Sequence, residues 1–219
     1  MYITPAILPK SFDELVTKLD LLQGLTGRVQ IDLCDGIIGK ERTWMPVEGS
    51  RLPEGFEYEF DLMVKEWKTP LLCLVEAGVK RFVMHMDSFS PVDTIDLLSI
   101  AHDRGLEIGI AVSNTKDVHF HKHVIQTIQE KWRRVFIQVM GIETIGIQGQ
   151  PLDHTAPERV ATLKGIFATI PIQVDGAMNA ITVPLMNMKG ADGVVVGSYL
   201  FSDGKPKETL EALQLSLQR

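Results

Sequence analysis

The chain has 219 residues, 45% hydrophobic and 23% charged, and its 22 Lys and Arg against 28 Asp and Glu give a formal net charge of −6. This is globular composition, not that of a disordered or collagen-like polymer, and a chain of this length buries about 70% of its unfolded surface, so its core needs neither disulfide nor structural metal. The acidic balance speaks against a general nucleic-acid binder, no apolar run approaches the roughly 20 residues of a membrane span, and Cys34 and Cys73 lack metal-site spacing. With a start that lacks signal-peptide layout, these features predict a cytoplasmic protein without nucleic-acid or membrane partners.

Short β-rich runs alternate with helical patterns. Strands are predicted at 2–8, 28–33, 58–64, 81–86, 107–112, 134–140, 171–176 and 193–198, and helices at 11–23, 68–78, 91–104, 117–131, 156–168, 180–189 and 206–218. Ser11 precedes Glu14 by three residues, as in a capping box, and Gly78 and Gly105 stand where helices should stop. The stretch 36–57, punctuated by Gly and Pro, reads as a long loop. Strands separated by helices pair in parallel through right-handed crossovers, and eight such units predict a (β/α)8 TIM barrel. No linker or composition shift breaks the sequence, so 1–219 is expected to form one barrel domain. An open dinucleotide-binding sheet fits less well, since no strand is followed by G-x-G-x-x-G.

Barrel active sites lie at the C-terminal strand ends, and side chains alternate along a strand with period two. That parity groups Gln30, Asp32 and Cys34 on strand 2; Glu59, Asp61 and Met63 on strand 3; Val83, His85 and Asp87 on strand 4; and Gln173 with Asp175 on strand 7. Asp32, Asp61 and Asp175 are expected to converge, and three buried carboxylates require a cation, hydrogen bonds or a shared proton, which points to proton transfer or a hard metal site. His85 is expected to touch substrate or an aspartate, or to be a hydrogen-bonded structural residue. Glycine-bearing turns after strands 6, 7 and 8 (146–150, 175–177, 197–198) can offer backbone N–H groups to a phosphate. His119, His121 and His123 fall at the start of an outer helix, where a solvated face is expected.

In order and spacing these residues resemble the ribulose-phosphate 3-epimerase family. TPAIL (4–8) resembles A-P-S-I-L, QIDLCDG (30–36) H-x-D-x-M-D-G, EFDLMV (59–64) D-x-H-L-M-V, and MHMDS (84–88) the F-H-x-E segment. IQGQ (147–150) resembles the end of N-P-G-F-G-G-Q, VDGAMN (174–179) V-D-G-G-x-N, and GADGVVVGSYLF (190–201) the terminal G-A-D-x-x-V-x-G-S-x-x-F.

The resemblance implies a ribulose-phosphate-binding barrel that epimerises a phosphorylated ketose, a sugar phosphate of the ribulose 5-phosphate kind, at C3. Asp32 and Asp175 match the family's acid–base pair, one taking the C3 proton to give an enediolate and the other returning a proton to the opposite face. Gly149, Gly176, Ala177, Gly197 and Ser198 would hold the phosphate, with Met63 and His85 beside the substrate. The family's metal lies between these aspartates and two histidines, whose positions Gln30 and Asp61 occupy here. A Gln30, Asp32, Asp61 and Asp175 set suits magnesium, manganese or another hard divalent cation better than zinc, or holds no metal. Loss of both histidines leaves open another lyase or isomerase step on a sugar phosphate, or phosphosugar binding without turnover. A homo-oligomer is also left open.

Overall fold

The computed structural model describes residues 1–217. Eight parallel strands close into a barrel in chain order: β1 (Tyr2–Ile7), β2 (Arg28–Cys34), β3 (Glu57–Met63), β4 (Arg81–Met84), β5 (Glu107–Val112), β6 (Val135–Met140), β7 (Ile172–Asp175) and β8 (Gly193–Val196). Around them run α1 (Phe12–Leu22), α2 (Lys68–Glu76), α3 (Pro91–Arg104), α4 (Val118–Lys131), α5 (Ala156–Ile166) and α6 (Thr182–Met188). A short α7 (Ser198–Phe201) follows β8 and α8 (Pro206–Ser216) completes the ring. The expected last helix reached 218, a residue outside those described. No helix among the described residues is long and apolar enough to cross a membrane.

Local chemistry accounts for the boundaries. The Ser11 hydroxyl accepts from Glu14 N at 3.1 Å and the Glu14 carboxylate accepts from Lys10 N at 2.8 Å, satisfying two N–H groups that a helix start leaves unpaired. Ser90 and Asp93 form a full capping box on α3, which Gly105 ends in the left-handed region at φ 64°. The outward faces of the strands, among them Ile31, Phe60, Phe82, Ile108, Ile137 and Val174, pack fully buried against helix residues such as Leu15, Leu71, Leu97 and Leu163. That outer layer is the main apolar core.

The barrel interior is different. Two small apolar clusters lie inside it, Val83, Ala111, Phe136 and Met140 in one and Leu8, Cys34 and Met63 in the other. Many other inward positions carry buried polar side chains, among them Gln30, Asp32, Glu59, Asp61, Arg81, Gln138 and Gln173.

The expected long loop between β2 and β3 contains one isolated bridge, Asp35 to Arg42, and folds over part of the barrel mouth. Asp35 Oδ1 accepts from the backbone N–H groups of Ile37 and Ile38 at 2.7 and 2.9 Å, and its Oδ2 accepts from Lys65 N at 2.7 Å. Burial opposes its ionisation, but these donors win and hold the carboxyl below the usual range. Lys40 N donates to Ile145 O and Glu41 N to Gly146 O, both at 3.3 Å, joining this loop to the one after β6. At Gly146 a Cβ would lie 2.8 Å from Gly39 Cα, so the two loops cross where no side chain fits.

Candidate active site

Register brings the aspartates together. Asp32 on β2 sits beside Asp61 on β3, and Asp175 ends β7. Asp32, Asp61 and Asp175 each offer an oxygen within 4.8 Å of the others. Gln30 Nε2 donates to Asp32 Oδ1 at 3.0 Å and to Asp175 Oδ2 at 3.4 Å. Gln138 Nε2 donates to Asp61 Oδ2 at 2.8 Å and to Asp175 Oδ2 at 3.5 Å, while His85 Nε2 meets Asp61 Oδ1 at 2.8 Å. These bonds leave Asp32 Oδ2 and Asp175 Oδ1 without a protein donor among the described residues.

Burial is the largest influence on both flanking acids. It raises the Asp32 carboxyl to about 7, with the Asp61 charge adding to the shift and the Gln30 N–H opposing it. Burial likewise lifts Asp175 well above the carboxylate range, reinforced by Asp32 and Asp61. For His85 burial works against the charged ring, but the Asp61 carboxylate overcomes it and raises the imidazole pKa.

A cavity of about 350 Å³ opens above this cluster. Asp32 and Asp175 lie in its floor, and Gly149, Gly176, Ala177, Gly197 and Ser198 line its walls. Ala177 holds φ 59°, the left-handed region that side chains avoid. Its carbonyl accepts from Thr182 Oγ1 at 2.7 Å and from Asn179 Nδ2 at 3.3 Å, so the turn is held in this conformation beside Asp175. Ala177→Gly is expected to raise stability by about 0.5–1 kcal/mol, the relieved strain being partly offset by a more flexible unfolded chain. Urea unfolding measures this; a destabilised variant would mean that the turn is unstrained.

Other expected residues are placed differently. Gln30, expected as a metal ligand, turns its amide N–H groups to the aspartates and its oxygen toward Gln173. Met63 lies away from the cavity, 3.9 Å from Cys34 Sγ and beneath Ile38 of the β2 loop. Asp87 does not share the inward face with His85. β4 ends at Met84, a 3₁₀ turn follows over Met86–Ser88, and Asp87 accepts from the Ser113 hydroxyl outside the cluster. The histidine tract is also split: His119 and His123 are exposed as expected, but His121 is buried, its Nε2 3.3 Å from Asp87 Oδ1. Burial pushes the Cys34 thiol up and favours the neutral, packed form. Sequence reasoning passed over Gln138, although its flanking apolar residues in VFIQVM give it the inward parity of Phe136 and Met140.

Residues 2–201 match the model of the ribulose-phosphate 3 epimerase family. The chain belongs to that family. A ribulose-phosphate 3-epimerase of Schizosaccharomyces pombe is 26% identical over 223 residues, covering 99% of this chain and 94% of the relative. A cytoplasmic isoform from Oryza sativa subsp. japonica is 25% identical over 219 residues, with the same coverage. Among solved structures, 3-hexulose-6-phosphate synthase from Salmonella typhimurium superposes with a TM-score of 0.69 at 13% identity, covering 100% of this chain and 99% of that one. Orotidine 5'-monophosphate decarboxylase from Sulfolobus solfataricus gives 0.63 at 13% identity, covering 99% and 97%. At such identities the two structures establish the shared barrel alone.

Proposed function

We propose that the protein epimerises a phosphorylated ketose at C3, with Asp32 and Asp175 as the acid–base pair. The observation that carries this reading is the position of these two acids in the floor of the cavity walled by the turns after β6, β7 and β8. One carboxylate removes the C3 proton, and the electron pair passes into a planar enediolate. The other, carrying a proton, delivers it to the opposite face of C3, inverting that centre; the reverse reaction exchanges the roles. Asp32 Oδ2 and Asp175 Oδ1 are the oxygens free to make these transfers. A carboxyl whose pKa is about 7 is divided between acid and base near neutral pH, where such transfer is most effective.

The carboxylate oxygens of Asp32, Asp61 and Asp175 fit a hard divalent cation such as magnesium or manganese better than zinc, and these three residues would hold it. When bound, the ion would supply positive charge next to the negative charge developing on the substrate.

The test is D-ribulose 5-phosphate in D2O, followed by NMR. Deuterium should enter C3 as the epimer forms. Exchange with no new epimer would indicate a different enediolate reaction, and tight binding without exchange would indicate a phosphosugar-binding barrel.

The phosphate would be held by main-chain N–H groups, since 141–150, 174–179 and 193–202 contain no lysine or arginine. A side chain on Gly197, which lines the cavity, would occupy space the phosphate needs. Gly197→Val is therefore expected to weaken ketose-phosphate binding by at least about tenfold, measured by calorimetry against the unphosphorylated sugar. Full binding by the variant, or equal affinity of wild type for the two ligands, would overturn the phosphate assignment.

A further inference from the structure

Most (β/α)8 barrels are filled by branched apolar side chains. Here three fully buried glutamines, Gln173, Gln138 and Gln30, connect an ion-paired floor to the aspartates. Their amide orientations follow from the floor upward. Gln173 Oε1 accepts from Arg81 Nη2 at 3.4 Å and from the Tyr2 hydroxyl at 3.2 Å. A guanidinium has donors and no acceptor, so the amide atom facing it is oxygen. Burial pushes the Tyr2 hydroxyl up to about 12, keeping its proton available for donation.

The Gln173 NH2 therefore points the other way, to Glu59 Oε1 and Gln138 Oε1, both at 2.7 Å, with Gln30 Oε1 at 3.5 Å. With their oxygens engaged from below, Gln138 and Gln30 present N–H groups to the carboxylates above. The tighter limb is Gln138, which reaches Asp61 Oδ2 at 2.8 Å while His85 holds Asp61 Oδ1. Turning the Gln138 amide over would set NH2 against NH2 below and oxygen against carboxylate above, leaving both of its own amide atoms and Asp61 Oδ2 without their partners.

We propose that Gln138, with its amide direction fixed by Gln173, is a positioning residue that pins Asp61 and Asp175 in the geometry the reaction needs. Gln138 does not line the cavity, so it acts through these aspartates and not on the substrate. The kinetic part of this proposal rests on the epimerase reading above, whereas the amide direction does not.

Two variants test it. Gln138→Met keeps an unbranched chain of similar length but removes the donor. Gln138→Glu still accepts from Gln173 but sets an oxygen against Asp61 Oδ2, an arrangement that calls for a cation between them. Gln138→Met should lower kcat for D-ribulose 5-phosphate about tenfold or more while KM stays within about threefold. In calorimetry on chelator-treated protein, Gln138→Glu should bind Mn2+ about tenfold or more tighter than wild type, with Gln138→Met within about threefold of wild type. A purely structural role would lower stability in both variants but leave kcat of folded Gln138→Met near that of wild type. Wild-type kcat in folded Gln138→Met, or equal Mn2+ affinity in wild type and Gln138→Glu, overturns the proposal. Should wild type fail to turn over the ketose phosphate, the epimerase reading falls and the Mn2+ comparison still decides whether the end of side chain 138 faces the aspartates.

Discussion

Asp32→Asn and Asp175→Asn are each expected to lower ketose-phosphate turnover by at least about 100-fold, because each removes one end of a two-sided proton transfer. Phosphate affinity should change little, since both acids lie in the cavity floor and the phosphate would sit against the glycine-bearing turns. Near-normal turnover in either variant would reject the acid–base assignment. Stability should move the opposite way. Folding raises the Asp32 pKa from 3.8 to about 7, so the native state keeps a proton that the unfolded chain releases. The stabilisation this gives is full below the unfolded pKa and is lost as pH rises through about 7. An asparagine cannot ionise and its oxygen can still accept from Gln30. In chelator-treated protein at pH 8, Asp32→Asn should therefore be more stable than wild type by about 2 kcal/mol or more, and the gap should close toward pH 4. A gap independent of pH would mean that Asp32 is not the desolvated group.

The barrel was legible because both of its periodicities are local: apolar strand runs end within a residue or two of their expected bounds, and helices carry their own caps. Period-two alternation brought Asp32 and Asp61 to one face, and their pairing across β2 and β3 needed only equal strand lengths. The same rule failed at Asp87 because the strand ends at Met84, and parity has no meaning once the chain turns into a 3₁₀ helix. His121 escaped because its partner, Asp87, lies 34 residues away on another loop. The crossing of the β2 loop over the β6 loop is equally non-local, and it is what separates Met63 from the cavity. Gln138 carries no proton-transfer chemistry and forms no motif. Its role emerges only from register, which sets it beside Gln173 on β7 and within reach of Asp61 across the barrel.

The largest loss of stability is expected at the barrel floor, from Arg81→Met. Arg81 is buried, pairs with Glu59 and Glu107, donates to Gln173, and lies with its guanidinium carbon 3.6 Å from the Phe136 ring centroid. Burial opposes its charge, but the two glutamates beside it raise its pKa above the ordinary arginine value. Glu59 is fully buried, and burial has already raised its pKa with Arg81 as the main opposing influence. Methionine fills much of the aliphatic volume but leaves this carboxylate bonded to the Gln173 amide alone, with no cation paired to it. Breaking a buried pair from one side costs about 3–5 kcal/mol, whereas replacing both partners by uncharged groups costs much less. Arg81→Met should lose about that amount in urea unfolding, and adding Glu59→Gln should recover at least about half of it. The sign of the pH dependence is fixed as well. Without the guanidinium the Glu59 pKa rises further, the native state holds a proton that the unfolded chain loses above about pH 4.3, and the defect relative to wild type should grow from pH 4.5 to pH 8. A defect of the same size at both pH values would mean that Arg81 acts there through its packing against Phe136 and not through the charge of Glu59.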